Sequence, residues 1–146
     1  MNLSKDAKIS IAITPTSGAA GTSDIEGVTL DMAGFESVLM LVTFGAITSG
    51  AATSIKAQQG STSNMSDAAD LAGTAQTIAD TDDDKTFYID LVKPTERYVR
   101  LYVDRGTQNA VVSSALYIQY NPKKAPASHG ANVSGEIHAG LAEDTA

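Results

Sequence analysis

Three groups of residues in this sequence have types and spacings that could do chemistry. Asp82-Asp83-Asp84 offers hard carboxylate oxygens to a cation such as Ca²⁺. His129 and His138 could ligate a metal or move a proton. Tyr98, Arg100 and Tyr102 alternate along one segment, and Tyr and Arg are favoured where proteins meet partners. Each falls short of an enzyme's signature. The aspartate run lacks the alternating Asp spacing, the glycine and the distant Glu of a calcium loop. The two histidines have no cysteine beside them and match no zinc spacing. No Gly-x-Ser-x-Gly elbow occurs. Gly18-Ala19-Ala20-Gly21 follows an apolar run but matches no phosphate-binding pattern. A glycosidase would need two carboxylates placed across a cleft, and the chain has no Trp to line a sugar site. We therefore expect no catalytic residues, no metal and no cofactor.

Composition narrows the class. The 146 residues fit one domain with arms. Of the apolar residues 22 are Ala, so the core must be built from few large side chains. The absence of Cys rules out disulfides and thiol chemistry. The net charge of -7 argues against direct binding to nucleic acid, which needs a positive surface. Between Asp67 and Asp90, seven Asp oppose one Lys, so this segment carries -6 of the total. From Lys93 to Arg105, four basic residues oppose Glu96 and Asp104, a sum of +2. The longest apolar stretch, Val38 to Ile47, is too short to span a bilayer, and the early Ile9–Ile13 run is too short for a secretory leader. No membrane partner is expected.

The periodicity is that of strands. Ile9, Ile11 and Ile13 alternate with Ser10 and Ala12, a half-buried pattern. Ile25, Val28 and Leu30 suggest a second strand with a bulge at Gly27. Glu36 to Phe44 is apolar on both faces, the mark of a central strand covered on both sides. Ser54 to Gln59 is its candidate hairpin partner. Residues 60–79 read as a long loop with at most one helical turn. Phe87, Ile89 and Leu91 face inward, as do Val99, Leu101 and Val103. Gly106 to Asn109 reads as a hairpin loop. Val112, Leu116, Ile118 and Tyr120 share a face, and Tyr88, Tyr98, Tyr102, Tyr117 and Tyr120 read as outward or strand-end residues. The expected fold is all-β, a jelly-roll or β-sandwich of about seven to eight antiparallel strands. Its domain covers residues 9–120, with an N-terminal arm at 1–8 and an extended tail at 121–146. The tail has Pro122, Lys123, Lys124 and Pro126, then an apolar trio, Val133, Ile137 and Leu141, at four-residue spacing. Too little is apolar there to fold alone. Tyr98, Arg100, Tyr102, Lys123, Lys124, Val133, Ile137 and Leu141 are the candidate partner-contact residues.

Three segments carry a resemblance. Leu30-Asp31-Met32-Ala33-Gly34-Phe35-Glu36-Ser37-Val38 with the strand to Ile47, Glu96-Arg97-Tyr98-Val99-Arg100-Leu101, and Ala115 to Pro122 resemble a small family of tailed-bacteriophage virion proteins. The resemblance covers roughly residues 25–122 and leaves the tail uncovered. It implies a capsid decoration, or cement, protein that binds the outer surface of an icosahedral shell and bridges capsomers. It implies the major capsid protein as partner, a homo-oligomeric state (dimer or trimer), and a place on the outer capsid surface after synthesis in the host cytoplasm. A neck or tail adaptor of the virion and a carbohydrate-binding module are the alternatives.

Overall fold

The computed structural model describes residues 2–143; Met1 of the N-terminal arm and residues 144–146 of the tail lie outside them. A one-turn helix, α1 (Leu3–Asp6), leads into β1 (Ala7–Ile13). The short β2 (Ile25–Glu26) and β3 (Leu30–Asp31) precede the long β4 (Phe35–Ile47) and β5 (Ala52–Gly60). The short β6 (Ala69–Asp70) and β7 (Gln76–Ile78) follow, then β8 (Thr86–Val92), β9 (Tyr98–Gly106) and β10 (Ala110–Pro122). One sheet has the order β1-β10-β4-β8. The other has β9 and β5 at its centre, flanked by β2 and β3 on one side and by β6 and β7 on the other. Every pairing is antiparallel. Counting β2 with β3 and β6 with β7 as interrupted strands gives two four-position sheets. The chain crosses between the sheets at every connection between these positions except the one from β5 to β6 and β7. This is a jelly roll.

Ten strands replace the expected seven or eight because two positions are interrupted. The 25–30 segment is two short strands rather than one bulged strand. At the break the Gly27 N–H donates to Leu101 O, while the Val28 N–H donates to Ala12 O of the other sheet. Residues 60–79 supply β6 and β7 and form no helix. Two further expectations are overturned. β5 pairs with β9, β6 and β7, so it is not the hairpin partner of β4. The 106–109 turn joins β9 to β10 in the opposite sheet, so it is a crossover rather than a hairpin.

The core lies between the sheets. From β4 come Val38, Met40, Val42 and Phe44, and from β9 Val99, Leu101 and Val103, all without exposed surface. Ile55, Ile78 and Ile89 close the layer. The Phe44 and Phe87 rings meet edge to face with centroids 5.9 Å apart. Full burial of each such side chain contributes about 1.5–3 kcal/mol.

Two bulges decide which residues reach this core. On β1, Ile11 pairs with Leu116 and Ile13 with Ala115, so two residues oppose one. One extra residue reverses the facing of everything beyond it. Ile13 is thus buried, while Ile9 and Ile11 stand on the outer face and Ala12 is buried in their stead. On β10, Val112 pairs with Phe44 and Ser114 with Thr43. Val112 therefore points inward, but Leu116, Ile118 and Tyr120 point outward, and the face they were expected to share is split.

The reversal carries Tyr117, expected to point outward, into the centre of the core with no exposed surface. Its hydroxyl accepts the Leu101 N–H at 2.9 Å and donates to Val28 O at 2.8 Å. Burial holds the phenol well above its ordinary pKa, so it remains a donor. Gly27 makes room for it, since a Cβ there would sit 2.7 Å from the Tyr117 oxygen. Gly18 plays a like part, with a Cβ meeting Val112 O at 1.9 Å. Close backbone packing accounts for a glycine in the Gly18-Ala19-Ala20-Gly21 segment. We predict that Tyr117→Phe lowers stability by about 1–3 kcal/mol, because the Leu101 N–H is left buried without an acceptor. Urea unfolding measures this; an unchanged midpoint would contradict the bridging role.

Candidate functional site

The acidic segment is turned to structural use. Asp80 accepts the Gly50 N–H at 2.7 Å, Asp82 the Ala79 N–H at 2.8 Å, and Asp83 the Ile47 N–H at 2.6 Å. Lys85 pairs with Asp82. Asp80 and Asp83 fasten the 79–85 loop to Gly50 and Ile47, and Asp82 closes the loop on itself, so Asp82 and Asp83 do not share a ligand position. Among the described residues no three His, Cys, Asp or Glu side chains are placed to hold a metal ion. Upstream, Asp67 accepts from the Ser61 and Thr62 hydroxyls and backbone. The Ser61 hydroxyl is the largest influence, and together these bonds hold the Asp67 carboxyl far below the usual range. A shallow depression of about 730 Å³ near Gly50 and Gly106 contains Asp24, Asp80 and Asp104. All three carboxylates already accept hydrogen bonds from the chain itself.

Tyr98, Arg100 and Tyr102 stand together on the outer face of the six-stranded sheet, where β9 alternation puts them. The guanidinium of Arg100 reaches Gln58 Oε1 at 2.7 Å and Glu26 Oε2 at 2.9 Å, and its side chain is only 12% exposed. Lys56 bridges Asp70 at 3.0 Å and Asp104 at 3.5 Å, and lies 4.8 Å from the centre of the Tyr102 ring. Tyr102 donates to Asp24. The result is a cross-strand ladder of alternating charge. It engages Arg100 through Nε and Nη1, holds most of that side chain out of solvent, and offers no stacked aromatic platform.

The opposite outer face is different. On the four-stranded sheet, Ile11, Leu116, Leu41 and Tyr88 lie side by side across β1, β10, β4 and β8. Ile9, Ile118, Leu39 and Asp90 form the next row. The six aliphatic side chains are half-buried by one another and Tyr88 is 62% exposed. The charged member, Asp90, accepts the Tyr120 hydroxyl at 2.6 Å. β4 is indeed apolar on both faces, but the fold has two layers, and no layer of the described residues covers this second face. The strand is therefore covered on one side only, against the expectation from its double apolarity, and Leu39 and Leu41 mark the open side.

The arms frame this face. Beyond β10 the Lys123 N–H donates to Gly34 O, and Lys123 borders a groove of about 1030 Å³ floored by Leu3, Leu39, Ile118 and Pro122. Lys124 is exposed and outside the groove. The tail then runs beside β1: Ala127 N–H donates to Lys5 O, Gly130 N–H to Ile9 O, and His129 Nδ1 accepts the Ile9 N–H at 3.1 Å. This caps the free edge of β1. Val133 and Ile137 adjoin Ile9 in a cleft of about 480 Å³, while Leu141 is 71% exposed and lies apart from it. The structure thus gathers Lys123, Val133 and Ile137 around the four-stranded sheet and keeps Tyr98, Arg100 and Tyr102 on the other one. His138 pairs with Glu136 in the tail.

No protein-family model and no curated protein matches the sequence. Among solved structures, the PBSX exported protein XepA matches with a TM-score of 0.51 at 17% identity, over 96% of this chain and 45% of that one. The chain thus spans less than half the length of XepA. PirA matches with a TM-score of 0.35 at 12% identity, over 79% of this chain and 93% of that one. At these identities the likeness to XepA is one of fold, a β-sandwich, and the likeness to PirA carries no argument.

The carboxylates set the response to acid. Asp31, beside the Arg97 guanidinium, Asp67, Asp70, beside Gln58 and Lys56, and Asp82, beside Lys85, are all held below the ordinary value. The folded chain therefore binds protons less readily than the unfolded chain at these sites. Their contribution is fully present above an ordinary carboxylate pKa of about 4 and is lost as pH falls through the lower folded-state values. We predict a urea midpoint that falls steeply below that pH, with a shallower fall in Asp67→Asn. A midpoint that rises on acidification would contradict this.

Proposed function

We propose that this chain is a non-catalytic phage virion protein that binds the outer surface of an icosahedral capsid and bridges neighbouring capsomers. The observation that carries the reading is the apolar outer face of the four-stranded sheet, which suits a subunit of a protein assembly rather than a reaction site; the shell contact itself lies elsewhere on the subunit. A monomer's largest apolar patch is often functional, and no group of reactive side chains competes for the role among the described residues. The fold is compatible with it, since jelly rolls recur in viral capsid domains. A solved structure that matches over nearly the whole chain is the PBSX exported protein XepA. The strand motifs at 30–38, 96–101 and 115–122 resemble phage virion proteins. The partner is the major capsid protein, and the protein is made in the host cytoplasm before it joins the particle.

The physics of such a role is linkage. A protein that binds only the assembled shell stabilises that state, and many copies let modest contacts add through avidity. The decisive experiment counts copies in purified particles by quantitative mass spectrometry. Hundreds per particle are expected. A dozen or fewer would move the chain to the neck or tail, and none would overturn the reading.

A further inference from the structure

We propose that the apolar outer face of the four-stranded sheet is closed by the same face of a second copy, giving a two-fold symmetric dimer. The proposal rests on the reading of this face as a protein-binding surface and names its occupant.

Charge is the first argument. The chain carries -7 overall, so most of its surface repels a second copy. A two-fold contact brings a patch against itself, and any unpaired charge in it would meet its own like. Ile9, Ile11, Leu39, Leu41, Leu116 and Ile118 carry none; the one carboxylate in these rows, Asp90, lies on the β8 edge, hydrogen-bonded to the neutral Tyr120 hydroxyl. The other sheet shows the contrast: Glu26, Asp70 and Asp104 against Arg100 and Lys56 form a net-acidic ladder, which self-contact would set like against like. A surface shaped for a foreign partner gains specificity from unpaired charges; this one confines its single carboxylate, Asp90, to the β8 edge.

Area is the second. Four strands about 4.8 Å apart and two rows of side chains each about 6.6 Å deep give a flat field of roughly 250 Å². A stable interface takes about 800 Å² from each partner. The remainder stands around the rim. Leu3 is 55% exposed on α1, Tyr88 62% and Val92 65% on the β8 edge, and Ile137 51% on the tail. These are four of the six large hydrophobic side chains that the described residues expose, and all border this one sheet. Two such sheets would pack about 10 Å apart, as sheets do within a sandwich, and the rim side chains would then reach across to the other copy.

Sedimentation velocity of the full chain tests this. At micromolar concentrations and above, the wild type is expected to sediment at twice its 15.1 kDa mass. Leu41→Glu and Leu41→Lys should each raise the dimer dissociation constant roughly a hundredfold, the effect of an unpaired charge in an apolar contact. An equimolar mixture of the two should recover dimers. That recovery also separates a blocked interface from a failed fold, because an unfolded chain would not reassemble. Thr77→Glu, exposed on the six-stranded sheet, should leave the dimer intact. A wild type that stays at 15.1 kDa, or an oligomer indifferent to both Leu41 variants, would overturn the proposal. The outcome is separable from the virion reading: a monomer abundant on particles defeats only the dimer, and a dimer absent from particles defeats only the virion assignment.

Discussion

The structure turns on the phase of β10. Tyr117 lies in its middle, and its hydroxyl spans from Leu101 of the opposite sheet to Val28 of the crossing segment. A side chain of that size can be buried at full depth only if its oxygen is satisfied at both ends, and here it is. With Tyr117 fixed inward, period-two alternation forces Leu116 and Ile118 outward. Antiparallel register then lines them up with Ile11 and Ile9 on one side and Leu41 and Leu39 on the other. One buried hydrogen-bonded phenol thus both locks the sheets together and fixes the residues of the outer apolar face.

The two outer faces divide the work. On the six-stranded sheet, Arg100, Lys56 and Tyr102 are spent on Glu26, Asp70, Asp104 and Asp24. Such exposed pairs add little stability individually, but together they keep that sheet wet and self-sufficient. On β1 of the four-stranded sheet the small residues Ser10 and Ala12 face in, and the large aliphatics Ile9 and Ile11 face out. An isolated domain gains nothing from that inversion. It becomes intelligible when the face is closed by protein in an assembly, as the proposed virion role requires.

The class of fold was legible in the sequence because the alternation in β8 and β9 is clean: Phe87, Ile89 and Leu91, then Val99, Leu101 and Val103, face inward as their spacing demands. What could not be read was where alternation slips. The bulges near Ala12 and Ser113 involve small residues that carry no turn signal, yet each reverses a strand's facing. They moved Ile9 and Ile11 out and Tyr117 in. The two-residue strands β2, β3 and β6 are too short for any period to show. The candidate contact set was only partly gathered by the fold. Tyr98, Arg100 and Tyr102 looked like an interface because the residues that satisfy them, such as Glu26 and Gln58, are far away in sequence. Leu39 and Leu41 lie on a doubly apolar strand, and alternation alone does not distinguish an apolar face that is covered from one left open.

The central claim is that the working surface is the aliphatic outer face and not the charged ladder. Hydroxyl-radical footprinting with mass spectrometry, comparing the dilute free chain with the chain in purified particles, tests it most directly. The account predicts strong protection of Leu39, Leu41, Leu116, Ile118 and Tyr88 in the particle, with Tyr98 and Tyr102 unchanged. Protection of Tyr98 and Tyr102 with the aliphatic rows still reactive would contradict it.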